Sequence, residues 1–499
     1  MREYFSKRYA QIISITGNLA RPPDQPPLIA RLATIPHATT ALTIAPAQSS
    51  LPSPSHAPVT PAPFLPLLNL LAALALCIAA LPSNANIEVT NPARQLEVTL
   101  IKGHALPFIL GENTQAYSLM AVIEGQLAAI PFQFDDINLK GLTFVPGAKI
   151  PVDGTENVLD PQDELVFMYK DMAEKLAPDQ FRDLQDQIIS EFEITEDGVS
   201  RYAYLVKGNS ERSTKVYSHY NFETGYLETE SYSLQFNPKN ILLWSDWKIK
   251  DFEGTQSAPN ILDTMKARLH ARLGFMKATL HNRLLPVSMI GVKNGPVRSI
   301  VEGDVSLGLF GYDILSAGVS VTFTAQTIEY PIFAFLPKAA DAFSEFSIDV
   351  TLDYVDLEGS RYRTALGPKE PLITGQPVSE QVRAQYTTDM DNPWLAISTG
   401  KNWDMFFVFT APEGFNPTLK ALYRDSAAGD KPNKPERYKG SNSELGVNLS
   451  DLPVGIETIL NYSLYFGPDL WQGNNPEKAA FDILNPAQVT IKQNFLAIN

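Results

Sequence analysis

From Ile87 onward the chain is a succession of short runs rich in β-branched and aromatic residues, each cut off by Gly, Pro, Asn or Asp. Such runs fit a pleated, half-buried surface, and such breakers supply the turns between them. They predict strands within 87–101, 117–134 (broken at Glu124-Gly125), 201–206, 214–220, 226–236 and 241–249. More follow within 319–335, 346–355, 394–398, 405–409 and 458–466. No fixed period links them, which argues against a propeller or solenoid. The expected fold is mainly β: an antiparallel β-sandwich or supersandwich with a smaller N-terminal β domain and few helices.

One helical stripe stands out. Over 178–192, Phe181, Leu184, Ile188, Ile189 and Phe192 share a face opposite Asp, Gln and Arg. This predicts a helical connector over 176–199, between an N-terminal β domain at 86–175 and a large β-sandwich domain at 200–499.

The first 85 residues read differently. They hold 13 of the 38 prolines, and residues 1–63 form a low-complexity leader that cannot bury a core. Residues 64–81 (FLPLLNLLAALALCIAAL) are apolar and end before Pro82-Ser83-Asn84-Ala85. Small residues at 83 and 85 suit cleavage after Ala85, the ending of a secretory signal peptide. No Lys or Arg lies between Arg31 and that run, so two readings stay open. The true translation start lies further in, or 64–81 is retained as a membrane anchor. Eighteen residues at about 1.5 Å each just span a bilayer. The expected destination is the periplasm, cell surface or extracellular space.

Charge and cysteine content narrow the chemistry. Lys+Arg is 40 against 55 Asp+Glu, a net −15, so nucleic acid is not an expected partner. Without residues 1–85 the count is 35 against 53, or −18. Cys77 is the one cysteine, which leaves no disulfide framework and no cysteine zinc site. The six histidines form no HExxH spacing, and GxSxG, Walker A and GxGxxG turns are absent.

Three constellations remain. Asp160, Asp163 and Glu164 surround a Pro turn and offer the oxygen ligands of a calcium site, though not at EF-hand spacing. The alternative is a turn whose Asp side chains accept local backbone N–H groups. Residues 266–275 (KARLHARLGF) alternate strictly, putting Lys266, Arg268, His270 and Arg272 on one face of a strand. After a turn near 274–277, Thr279, His281 and Arg283 alternate again. Arg binds planar oxyanions bidentately, so Arg268, Arg272 and Arg283 are candidate ligands for an acidic glycan. His270 and His281 are the candidate acid–base residues. Helical spacing of Ile261, Leu262, Met265, Leu269 and Leu273 is the competing reading of 261–273. Third, Arg298 follows an Asn-Gly-Pro turn, as a binding residue or as a donor to turn carbonyls. A polar loop spans 425–443, and Trp244, Trp247, Trp394, Trp403 and Trp471 are candidate sugar platforms or core residues.

IPFQFDD at 130–136, LDPQDELVF at 159–167 and GPVR at 295–298 together resemble an uncharacterised group of secreted bacterial proteins. Their general shape is similar to the galactose-mutarotase-like β-supersandwich proteins. The resemblance implies a supersandwich and a part in polysaccharide breakdown, and it transfers no catalytic residue. Where the related pattern has Gly-Asp-Gly, this chain has Asp160-Pro161-Gln162, which weakens the metal reading. The expected function is an exported cell-envelope protein that binds or processes carbohydrate. The alternative is a non-catalytic structural or interaction protein of the periplasm or surface.

Overall fold

Period-two patterning becomes strand pairing almost throughout, and every pairing between named strands is antiparallel. The structure, a computed structural model, describes residues 88–494 except 254–259, 310–311, 356, 377, 413, 416 and 426–442. These residues belong to the unit that includes Ala85–Asn499. The leader, the apolar run 64–81 and most of the 425–443 loop lie outside the described residues. Four short α-helices occur among the described residues: Pro92–Gln95, Pro178–Leu184, Glu380–Arg383 and Pro476–Leu484. None is long and apolar enough to cross a membrane.

Five sheets make up the fold among the described residues. A nine-stranded sheet runs from Val287–Asn294 to Leu372–Ile373, with Glu457–Gly467 inserted between Thr327–Phe335 and Asp404–Thr410. A five-stranded sheet has the order Met276–His281, Leu262–Leu273, Glu345–Tyr354, Ser443–Ser450, Thr418–Asp425. These two and a four-stranded sheet over 218–249 share one large apolar core, which includes Trp247, Tyr354, Tyr462 and Phe466. Their alternation is therefore the in–out pattern of a sandwich, with one face of each strand dry.

A three-stranded sheet (Val98–Lys102, Glu164–Met168, Phe132–Asp135) and a second five-stranded sheet build the N-terminal part. The latter joins Tyr117–Ile123, Gln126–Ala129, Ile188–Glu196 and Val199–Lys207 with the C-terminal strand Thr490–Gln493. Pairing thus runs across residue 199 and draws in the far end of the chain. The predicted helix over 178–192 ends at Leu184. Ile188, Ile189 and Phe192 lie in the Ile188–Glu196 strand, where all three are buried. A four-residue step and a strand bulge mimic the same spacing, and pairing with Val199–Lys207 decides between them.

Candidate functional site

The open reading of 261–273 resolves as strand. Leu262–Leu273 and Met276–His281 form a hairpin, with Leu273 opposite Met276 and only Gly274-Phe275 between them. Gly274 sits at φ +58°, the left-handed conformation that the first residue of a type II′ turn requires. Arg268 faces His281, His270 faces Thr279 and Arg272 faces Lys277. The basic residues of both strands therefore share the outer face, while Met265, Leu269 and Ala271 enter the core.

Neighbouring strands answer this row with acid. Register places Glu345 opposite Arg272 and Asp349 opposite Arg268, and Glu444 lies beside Asp353 on the next strand. Lys266, 2% exposed, contacts Asp353 at 2.5 Å and Glu444 at 3.1 Å. Arg268 is also buried and donates to Glu444 at 2.9 Å, and Arg424 reaches the same oxygen at 3.0 Å. Thr351 adds a further donor to Glu444 at 2.7 Å. Arg268, expected to hold a ligand anion, is instead occupied by a protein carboxylate. Burying a charge demands such a partner, and the partner comes from 176 residues away.

Exposure grows toward the hairpin tip. Arg272 is 37% exposed at its side chain and pairs with Glu345, itself 57% exposed, at 2.5 Å. Lys277, Thr279 and Lys420 are exposed, and Ser347, Asn448 and Ser450 are half-buried on the same sheet. Arg283 is exposed as well, but it follows His281, the partner of Arg268, at the end away from the tip. His270 is held from both ring nitrogens, by Thr279 at 3.0 Å and Asp349 at 3.2 Å. Burial opposes ionisation of Asp349, but hydrogen bonds to His270 and Asn448 and the charge of Arg424 hold its carboxyl below its ordinary value. Burial pushes Asp353 up to about 7, with Lys266 only partly offsetting it. His281 is lowered by burial first, then by Arg283 and Arg268. Its Nδ1 is buried with no hydrogen-bond partner, whereas both ring nitrogens of His270 are engaged.

Arg298 does not reach this face. It is buried in a separate node, with Nε 2.8 Å from Asp135 and Nη2 2.7 Å from both Asp135 and Glu164. Lys293 adds a contact to Asp135 at 3.0 Å, and Lys102 one to Glu164 at 2.8 Å. The Gln133 side chain closes the node. Its amide nitrogen donates to Asp135 at 2.8 Å, and its oxygen accepts from the backbone of Val297 and Arg298 at 3.1 and 3.0 Å. The segments IPFQFDD, LDPQDELVF and GPVR therefore meet in one ion cluster that joins the N-terminal sheet to the nine-stranded sheet. Arg298 thus cross-links these segments through the Asp135 and Glu164 carboxylates.

The same geometry accounts for the calcium candidates. The Asp163 carboxylate accepts from the backbone of Ile137 at 2.9 Å and of Asp160 at 2.7 Å. Burial raises it to about 6, those two bonds opposing. Glu164 is engaged by Arg298 and Lys102. Two of the three carboxylates thus face protein donors, and among the described residues no cluster of three His, Cys, Asp or Glu is placed to hold a metal ion. Asp163 thus accepts one backbone N–H of its own turn, from Asp160, and one from Ile137.

The acidic half of the charged sheet was missed from sequence. Glu345, Ser347, Asp349, Thr351 and Asp353 alternate as strictly as 266–272 do. That alternation was the available signal, but nothing local states which strand it answers.

No protein-family model matches the chain, and no curated protein matches its sequence. Among solved structures, an α-mannosidase from Enterococcus faecalis V583 is similar at TM-score 0.44 and 10% identity, over 81% of this chain and 45% of that one. A putative aldose 1-epimerase from Escherichia coli K12 is similar at TM-score 0.29 and 10% identity, over 51% of this chain and 99% of that one. A heparan sulfate lyase from Pedobacter heparinus is similar at TM-score 0.28 and 10% identity, over 58% and 42%. This chain spans less than half the length of the mannosidase. Likeness at this level is distant, and it carries no functional argument.

Proposed function

We propose that this is an exported cell-envelope protein that binds carbohydrate on the outer face of its five-stranded charged sheet, with acidic chains favoured at the hairpin end. The observation that supports the reading is the gradient along that face. Its inner end is a closed ion lattice of Lys266, Arg268, Asp353 and Glu444. Its outer end exposes Arg272 and Lys277 beside the hydroxyl, amide and imidazole groups of Ser347, Asn448 and His270. Hydroxyl-rich ligands need such mixed donors and acceptors, and cations add selectivity for carboxylate or sulfate.

Isothermal titration with uronate oligosaccharides and neutral oligosaccharides tests this. Arg272→Ala with Lys277→Ala weakens acidic binding about tenfold, since charge-assisted contacts contribute roughly 1.5–3 kcal/mol when dry and less when exposed. Preference for neutral glycans, or indifference to both changes, overturns the reading.

One observation favours a second reading, a non-catalytic structural or interaction protein. Trp244, Trp247, Trp394, Trp403 and Trp471 are all buried, so the described surface offers no tryptophan platform for a sugar ring. Wild-type protein that binds no glycan of either class favours that alternative.

A further inference from the structure

Between the nine-stranded sheet and the inner face of the charged sheet lies an apolar cavity of about 110 Å³. Val350, Val447 and Met265 wall it on one side, and Ile332, Leu460 and Tyr462 on the other. One water needs roughly 10–15 Å³ of such space and two to four polar partners, so this cavity has room for several waters, but apart from the Tyr330 and Tyr462 hydroxyls its lining side chains are apolar. An apolar cavity of this kind stays dry and takes apolar ligands. Protein interiors ordinarily close voids of this size, and Val350, Val447 and Met265 stand on regular strands that could carry larger residues.

Shape and opening select among apolar ligands. Tyr330 and Tyr462 face each other across paired strands, and Ile332 and Leu460 form the next pair along. Tyr330 is fixed by the Trp244 indole, which donates to its hydroxyl at 2.7 Å. From Tyr462 to Glu457, where the strand begins, is about 16 Å at ~3.3 Å per residue. Ile456, just beyond, lines the cavity and is 51% exposed, so the void reaches the surface there. At that mouth the exposed Lys338 side chain lies alongside Gly455. The Lys140–Glu457 pair, at 3.1 Å, flanks it.

We propose that this cavity is a binding site for a single alkyl chain of an anionic amphiphile. The chain lies between the sheets, and its carboxylate stays at the mouth beside Lys338. This site is separate from the outer face and does not depend on the carbohydrate reading.

The test uses decanoate, with decanol as the uncharged comparison, followed by titration calorimetry and by intrinsic tryptophan fluorescence, Trp244 being packed against Tyr330 of the cavity wall. Decanoate binds saturably at one site. Val350→Phe and, separately, Val447→Phe fill the cavity and weaken both ligands at least tenfold while circular dichroism stays native. Lys338→Glu weakens decanoate several-fold and leaves decanol unchanged. No saturable binding of either ligand to the wild-type protein overturns the proposal. So does unchanged binding in a natively folded filling variant. An effect of Lys338→Glu on decanol equal to that on decanoate overturns the placement of the carboxylate. Lys338→Gln, which keeps length without charge, guards against misfolding of the glutamate variant and is expected to give the same split.

Discussion

Replacing Arg298 by Met removes the one side chain that bridges Asp135 and Glu164. Both carboxylates are fully buried, so they stay behind in a dry site with only Lys293 and Lys102 to offset them. Taking one partner from a buried ion pair costs about 3–5 kcal/mol, because the remaining charge is uncompensated. With unfolding entropy of about 2.1 cal/mol/K per residue, that lowers Tm by roughly 5 °C for a domain of this size. The pH dependence gives a second reading. Burial opposes ionisation of Asp135, but Arg298 and Lys293 hold its carboxyl below the ordinary value. A depressed carboxylate stabilises the fold above its unfolded pKa of about 3.9, and that contribution is lost as pH falls through the folded value. Without Arg298, burial raises Asp135, and the folded variant takes up a proton on mild acidification. The deficit of Arg298→Met is therefore larger at pH 7 than at pH 5. Urea unfolding of both proteins at the two pH values measures it. A deficit below about 1 kcal/mol at pH 7, or one that grows toward pH 5, refutes the reasoning.

Four further outcomes are expected. Gly295→Ala places a Cβ 2.1 Å from the Gln133 side-chain oxygen, which cannot move without releasing Val297 and Arg298. Overpacking of this kind costs about 1–3 kcal/mol, read as a lowered urea midpoint, and an unchanged midpoint contradicts it. Asp353 has a raised folded pKa, about 7, so its protonated form favours folding below pH ~4 and that contribution is lost as pH rises to about 7. Asp353→Asn therefore flattens the Tm profile between pH 4 and 7, and parallel profiles count against the assignment. Gly274→Val forces a β-branched residue to φ +58°, a strain of roughly 1–2 kcal/mol, and should loosen the hairpin in amide exchange while leaving the rest protected. Deleting 490–499 strips the partner strand from Ile188–Glu196 and the Asn494 bonds to Gln185 and Ile188, lowering Tm by several degrees. A Tm unaffected by that deletion would show the edge strand to be dispensable.

The hairpin at 262–281 was one of two readings the sequence allowed. Strict alternation and a Gly between two alternating runs favour strand–turn–strand, the helical spacing of Ile261, Leu262, Met265, Leu269 and Leu273 competes, and pairing with Glu345–Tyr354 decides. The antiparallel β class was legible, since each strand's in–out pattern is local and period two. Residues 178–192 show where locality fails. Their spacing serves a helix or a short helix followed by a buried strand, and only pairing with Val199–Lys207 separates the two.

The candidate site divides along the same line. Sequence alone placed Lys266, Arg268, His270 and Arg272 on one face, because side chains two apart on a strand point the same way. It could not say that Asp353 and Glu444, 87 and 178 residues beyond Lys266, stand opposite and neutralise the inner half. Nor could it say that Gln133, Glu164 and Arg298, each within its own motif, close on one buried node. Residue type and period are written along the chain, so the sequence determined charge and, for each strand reading, the face. Which charges remain available to a ligand depends on strand order and register between distant segments, and those exist only once the sheets have paired.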